Sequence, residues 1–88
     1  MSERRAFWRL EWFDKESGRS EGSARLDTLT DAEAYDAFGQ ELDDPYAFDG
    51  PFDLGPTQAA VLQPHTDHGI AIDQYDYEFR RLYERPER

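Results

Sequence analysis

An α+β fold, built as a small antiparallel sheet with one amphipathic helix and a long acidic loop, follows from three stretches of the chain. Residues 6–13 alternate with the period of a strand, and Thr30 to Glu33 form a capping box ahead of apolar residues at helical spacing. Residues 43–57 hold Pro45, Pro51 and Pro56 with Gly50 and Gly55, which rules out long regular elements there. At 88 residues there is room for a single domain, residues 1–88, with one modest core.

The alternation in Ala6 to Phe13 puts Trp8, Leu10 and Trp12 on one face and Phe7, Arg9, Glu11 and Phe13 on the other. Such a strand is expected to be the central or the best-buried one of its sheet. Lys15 to Ser23 is polar with Gly18 and Gly22, as a hairpin loop requires, and the return strand starts where Ala24, Leu26 and Thr28 begin to alternate with Arg25, Asp27 and Leu29. Thr30 as N-cap with Glu33 three residues on predicts a helix over Asp31 to Leu42. Tyr35, Phe38 and Leu42 face inward, while Glu33, Asp36, Gln40 and Asp43 face solvent.

In the loop that follows, Tyr46, Phe48 and Phe52 alternate with Asp44, Asp49 and Asp53, so rings anchor it and acids stay wet. Gln58 to Gln63 and Gly69 to Asp73 are short apolar runs separated by Pro64 and the polar residues His65 to His68, the pattern of a second hairpin. Residues 74–85 fit two elements. Tyr75, Tyr77, Phe79 and Tyr83 share one parity, which favours a strand, whereas Asp73 as N-cap with arginines late in the segment suits a helix.

Low hydropathy and high charge lean toward disorder, but two Trp, five Tyr and six Phe supply the apolar area that a folded core needs. With no Cys there is no disulfide, thiolate metal site or thiol nucleophile, in keeping with a reducing cytoplasm. No apolar run approaches the ~20 residues of a membrane span and Met1 to Arg5 leads into no signal-peptide core, so the expectation is a soluble cytoplasmic protein.

Charge is segregated along the chain. Between Arg25 and Arg80 there is no Lys or Arg but there are 13 carboxylates, and the whole chain carries a net charge of −10. One-signed charge on so small a domain opposes its own compaction, which points to a partner or an environment that wants a negative surface, while charge that serves solvation alone is the plain alternative.

His65-Thr66-Asp67-His68 is the one crowding of transition-metal ligand types, but no third strong ligand follows at a metal-site spacing, and a polar turn accounts for it. The acids at 43, 44, 49 and 53 lack the spacing of a calcium loop. No nucleophile elbow, P-loop or dinucleotide fingerprint is present, so neither catalysis nor a cofactor is expected. Direct nucleic-acid binding draws its free energy from Lys and Arg, which the central segment lacks. The inverse fits better: spaced carboxylates can occupy a groove that normally holds phosphates.

Gly18 to Gly22, then Leu26-Asp27, an acidic helix and Ile70 to Tyr77 together resemble the first part of ArdA-type antirestriction proteins. The resemblance implies a phage- or mobile-element-borne DNA mimic that blocks a host restriction enzyme, and small anti-CRISPR proteins share the same acidic character. The expected function is therefore a non-enzymatic inhibitor that binds the nucleic-acid site of a host defence protein, with no direct contact to nucleic acid or membrane. Its partner-binding residues are Glu33, Asp36, Asp43, Asp44, Asp49, Asp53, Asp73, Asp76 and Glu78. Two alternatives stay open: an acidic adaptor or subunit, and a small metal-dependent enzyme centred on His65 and His68.

Overall fold

The computed structural model describes residues 6–41, 47–48 and 50–83. Three strands, β1 (Ala6–Asp14), β2 (Ser20–Arg25) and β3 (Tyr75–Tyr83), form an antiparallel sheet in the order β2-β1-β3. Two short helices, α1 (Asp31–Ala37) and α2 (Pro56–Leu62), lie in the crossover between β2 and β3, and a 3-10 turn (Gln63–His65) extends α2. The architecture is α+β, and β1 is central as its aromatic alternation requires.

The hairpin is tighter than the polar residues imply. Asp14 accepts hydrogen bonds from the backbone N–H and the hydroxyl of Ser17, Gly18 takes φ +71°, and β2 begins at Ser20 rather than Ala24. Polar Ser20, Glu21 and Ser23 read as loop because β2 is an edge strand. The register shifts between Trp12, opposite Gly22, and Phe13, opposite Ser20, so Glu21 is the extra residue of a bulge that blunts this edge.

Helix α1 starts as expected. The Thr30 hydroxyl accepts from the Glu33 N–H at 3.2 Å while the Glu33 carboxylate accepts from the Thr30 N–H at 3.0 Å. It stops at Ala37, well short of Leu42. Gly39 adopts φ +66°, the Gln40 N–H reaches the Tyr35 carbonyl at 2.8 Å and the Gly39 N–H reaches that of Asp36, which is a Schellman stop. Leu42 and Tyr46 lie outside the described residues.

The expected second hairpin is instead α2 and its 3-10 extension. Pro56 sits at the first helical position, where its fixed φ suits a helix and its missing N–H is not needed. The Gln58 side chain accepts from the Gly55 N–H at 3.0 Å and donates to the Ala37 carbonyl at 2.9 Å, so one residue both starts α2 and docks it on the end of α1. Residues 75–83 form the strand that the shared parity of the aromatics favoured.

The core fills one face of the sheet. Trp8, Leu10, Tyr77 and Phe79 project from the strands against Leu26, Leu29, Ala34, Tyr35, Phe48 and Leu62. Phe79 is fully buried between two parallel rings, with centroids 5.2 Å from Trp8 and 4.6 Å from Phe38. Phe48 holds a left-handed φ of 57°, a conformation a bulky residue adopts only under constraint. Edge-on contacts to Trp8, Tyr35 and Phe79 supply that constraint. Phe52 exchanges two backbone hydrogen bonds of 2.9 Å with Phe79, covering part of the free edge of β3. Of the expected acidic loop only these anchoring stretches are described. Among the described residues no helix is long and apolar enough to cross a membrane.

Candidate functional site

Gln63, at the end of α2, organises the segment that carries both histidines. Its amide donates to the His68 carbonyl at 2.8 Å and accepts from the Ile70 N–H at 2.8 Å, folding residues 63–70 back on themselves. The segment then closes on β3, where the Tyr77 hydroxyl accepts from the Ala71 N–H at 2.9 Å. Beside it opens a cleft of about 480 Å3, lined by Trp12, Ser23, Arg25, Thr28, His65 and His68 among others.

The two imidazoles turn to different partners. His65 Nε2 lies 3.5 Å from a Glu33 carboxylate oxygen and Nδ1 lies 2.6 Å from the Thr28 hydroxyl. With Glu33 as the acceptor, Nε2 carries the proton and Thr28 donates to Nδ1. Hydroxyl, imidazole and carboxylate thus stand in an order through which a hydroxyl proton can be drawn. Each member also ties down an element: Thr28 the turn before α1, His65 the 3-10 turn, Glu33 the α1 cap. This chain is in the first place a clamp between α1 and the segment after α2. Its hydrogen bonds from Thr30 hold the Glu33 carboxyl below the ordinary carboxylate value, with a smaller contribution from His65.

His68 instead stacks on Trp12, with centroids 3.7 Å apart and planes within 4°. Its Nε2 meets the Tyr77 hydroxyl at 2.7 Å. In the neutral tautomer with its proton on Nδ1, His68 accepts at Nε2 from the phenol O–H, while the phenol oxygen accepts from Ala71. Desolvation favours the uncharged form of both partners, lowering His68 from its ordinary 6.5 and raising Tyr77 from 10.0. Among the described residues no group of three or more metal-ligating side chains converges, here or elsewhere.

This pair gives the fold a defined acid sensitivity. The folded chain binds a proton at His68 less readily than the unfolded chain does, so the stabilisation is complete above about pH 6.5 and is lost as pH falls below it toward the lowered value. Glu33 and Asp14, also lowered, add their losses only below their ordinary 4.5 and 3.8. The melting temperature of the wild type should therefore drop between about pH 7.5 and 5.5, before the carboxylates titrate. In His68→Phe, which keeps a ring on Trp12 but cannot titrate, that slope should flatten. An equal slope in the variant would remove His68 from the account.

The expected partner-binding acids are distributed over the molecule. Glu33 and Asp36 are both exposed on α1, and Asp53 is exposed just before α2. Asp73 is exposed in the turn before β3. Asp76 and Glu78 point from β3 to the sheet face away from the helices, where Lys15 pairs with Asp76 at 2.9 Å and Arg80 with Glu78 at 3.1 Å. Asp43, Asp44 and Asp49 lie outside the described residues.

Three residues that no local pattern singles out hold the site's surroundings. Asp31 accepts from the Trp8 indole N–H at 3.1 Å. Arg81, on the core side of β3, donates to the Tyr35 hydroxyl and to the Ala47 carbonyl. Gly22 lies so close under the Trp12 indole that a Cβ there would come within 2.6 Å of the ring. These contacts join residues far apart in the chain, so only an unusually placed Gly or Arg in the strand pattern could have flagged them.

No curated protein matches the chain. Residues 7–80, from the second position of β1 to Arg80 in β3, match the family described as Domain of unknown function (DUF7683), and the chain belongs to that family.

Proposed function

We propose that this chain is a non-enzymatic acidic binding module whose partner is a protein with a positively charged, nucleic-acid-holding groove. One observation carries the reading. Of the ten carboxylates described between Asp27 and Glu78, all but Glu78 are exposed, and no charged side chain is buried among the described residues. The core is closed by aromatic rings, so the acids are free to face outward. Asp36 and Asp53 have no side-chain ion pair or hydrogen bond among the described residues, unlike Asp76 and Glu78, and they flank the helical side of the domain. A surface of this kind attracts a cationic groove by long-range steering, while shape and the rings set specificity. The narrower form of the proposal, a host restriction or CRISPR-type defence protein as target, rests on the resemblance to ArdA-type proteins.

Asp36→Lys with Asp53→Lys tests this without touching the Glu33 cap. The doubly reversed chain should melt like the wild type yet associate roughly tenfold or more slowly with a nucleic-acid-binding protein captured from nuclease-treated lysate. That complex should weaken steeply with salt, and duplex DNA should displace the chain. If the partner holds DNA and this chain together at unchanged affinity, the chain is an adaptor and the mimicry reading fails.

A further inference from the structure

The outer face of the sheet carries no buried residue among those described, in contrast to the aromatic inner face. Its side chains fall into rows set by the register. Along β1 the outward residues run Phe7, Arg9, Glu11, Phe13, and along β3 Arg80 lies opposite Arg9 and Glu78 opposite Glu11. A row of cations is thus followed, two residues along, by a row of anions, and each arginine leans on the acid beside it: Arg9 on Glu11 at 3.8 Å, Arg80 on Glu78 at 3.1 Å. Apolar rings close both ends of the β1 pattern.

From this arrangement we infer that the outer sheet face is a self-association surface, and that its occupant is a second copy of the chain. The pattern Phe-Arg-Glu-Phe is self-complementary about a twofold axis that lies across the strands between the two charged rows. That axis sets Arg9 over the partner's Glu11, Arg80 over the partner's Glu78 and Phe7 over the partner's Phe13, each contact occurring twice as an isologous interface demands. At the flanks Leu82 falls over the partner's Asp76 and Arg25 over the partner's Ser23, contacts that add no complementarity. An axis along the strands would instead stack arginine on arginine, so the charges select one orientation. A phosphate backbone fits poorly, because the acid row lies only about 7 Å from the cations. Three strands about 5 Å apart and four rows about 7 Å apart make a patch on the order of 400 Å2 per protomer. Twice that area is at the low end for specific complexes, and each chain's net charge of −10 opposes association, so the dimer is weak and concentration-dependent.

Sedimentation equilibrium from about 10 μM to 1 mM tests the inference, a range that brackets a weak interface. The wild type should pass from monomer to dimer mass across it. Arg9→Glu alone faces acid with acid, and Glu11→Arg alone faces arginine with arginine, so each should stay monomeric. Mixed in equal amounts, the two variants should dimerise again, because every reversed charge then meets its complement on the other chain. Recovery on mixing also shows that the single variants are folded. A wild type that is monomeric throughout, single variants that dimerise as it does, or a mixture that stays monomeric would each overturn the inference. The substitutions lie on the face opposite the helices, so the outcome is independent of the binding test on Asp36 and Asp53.

Discussion

Replacing Phe79 by alanine is expected to destabilise the domain by about 3–5 kcal/mol, enough to leave much of the chain unfolded at physiological temperature. The ring is fully buried, and it forms the middle of a three-ring stack between Trp8 and Phe38. Its removal opens a hole that neither neighbour can fill without leaving its own contacts, because Trp8 is held by Asp31 and Phe38 caps α1. The backbone of Phe79 also carries the bridge to Phe52, so relaxation there would loosen the edge of β3. Phe38→Ala should cost about half as much, in the range of 1.5–3 kcal/mol, since that ring is half-buried and covers Phe79 from outside. Urea midpoints of the two variants give the comparison. A smaller loss for Phe79→Ala than for Phe38→Ala would contradict the order of the stack.

Gly22→Ala is expected to cost about 1–3 kcal/mol, an unusually large effect for one methyl group on an edge strand. The new Cβ would lie 2.6 Å from Cζ2 of Trp12, well inside contact distance. Indole cannot retreat freely, because its other face stacks on His68 at 3.7 Å, and His68 is bonded to Tyr77. Either the β1–β2 pairing opens or the Trp12–His68 stack is broken. The two outcomes separate by spectroscopy. A lost stack shifts the His68 ring signals and moves the histidine toward its ordinary pKa, whereas an opened hairpin frees amide protons on β2. Ser23→Ala, one position along on the outer face, should leave stability and spectra near wild type. Full stability in Gly22→Ala would mean that the indole does not lie over this glycine.

How far the fold was legible depended on whether its signals were local. The aromatic alternation of β1, the shared parity of Tyr75, Tyr77 and Phe79, and the Thr30–Glu33 cap are periodic or short-range, and each named its element. Two of the readings the structure corrects failed for reasons that particular residues identify. Phe38 and Leu42 continue the helical spacing past Gly39, but a glycine free to take positive φ closes the Schellman motif and stops α1 at Ala37. The apolar run after Pro56 is too short to separate strand from helix by period. The deciding signal was Gly55-Pro56 with Gln58 at the third helical position, the pattern that starts a helix.

The candidate site was legible only as an inventory. Two histidines three residues apart read as a possible ligand pair, and adjacency in sequence could not show that they diverge. His65 goes to the α1 cap and Thr28, while His68 goes to Trp12 and Tyr77, because Gln63 folds the intervening chain back and presents the rings to different walls. Likewise the acids are plain in the sequence, but strand parity sends Asp76 and Glu78 to the face opposite the helices, away from Glu33 and Asp36. By itself the sequence determined that β1 is a strand and that a helix starts at Thr30, together with the one-signed charge and which rings were available to be buried, since these follow from local period, capping and composition. Tertiary structure alone decided which rings stack, which face each carboxylate occupies and which partner each imidazole takes, because those depend on contacts between residues tens of positions apart that only the closed sheet and its packed helices bring together.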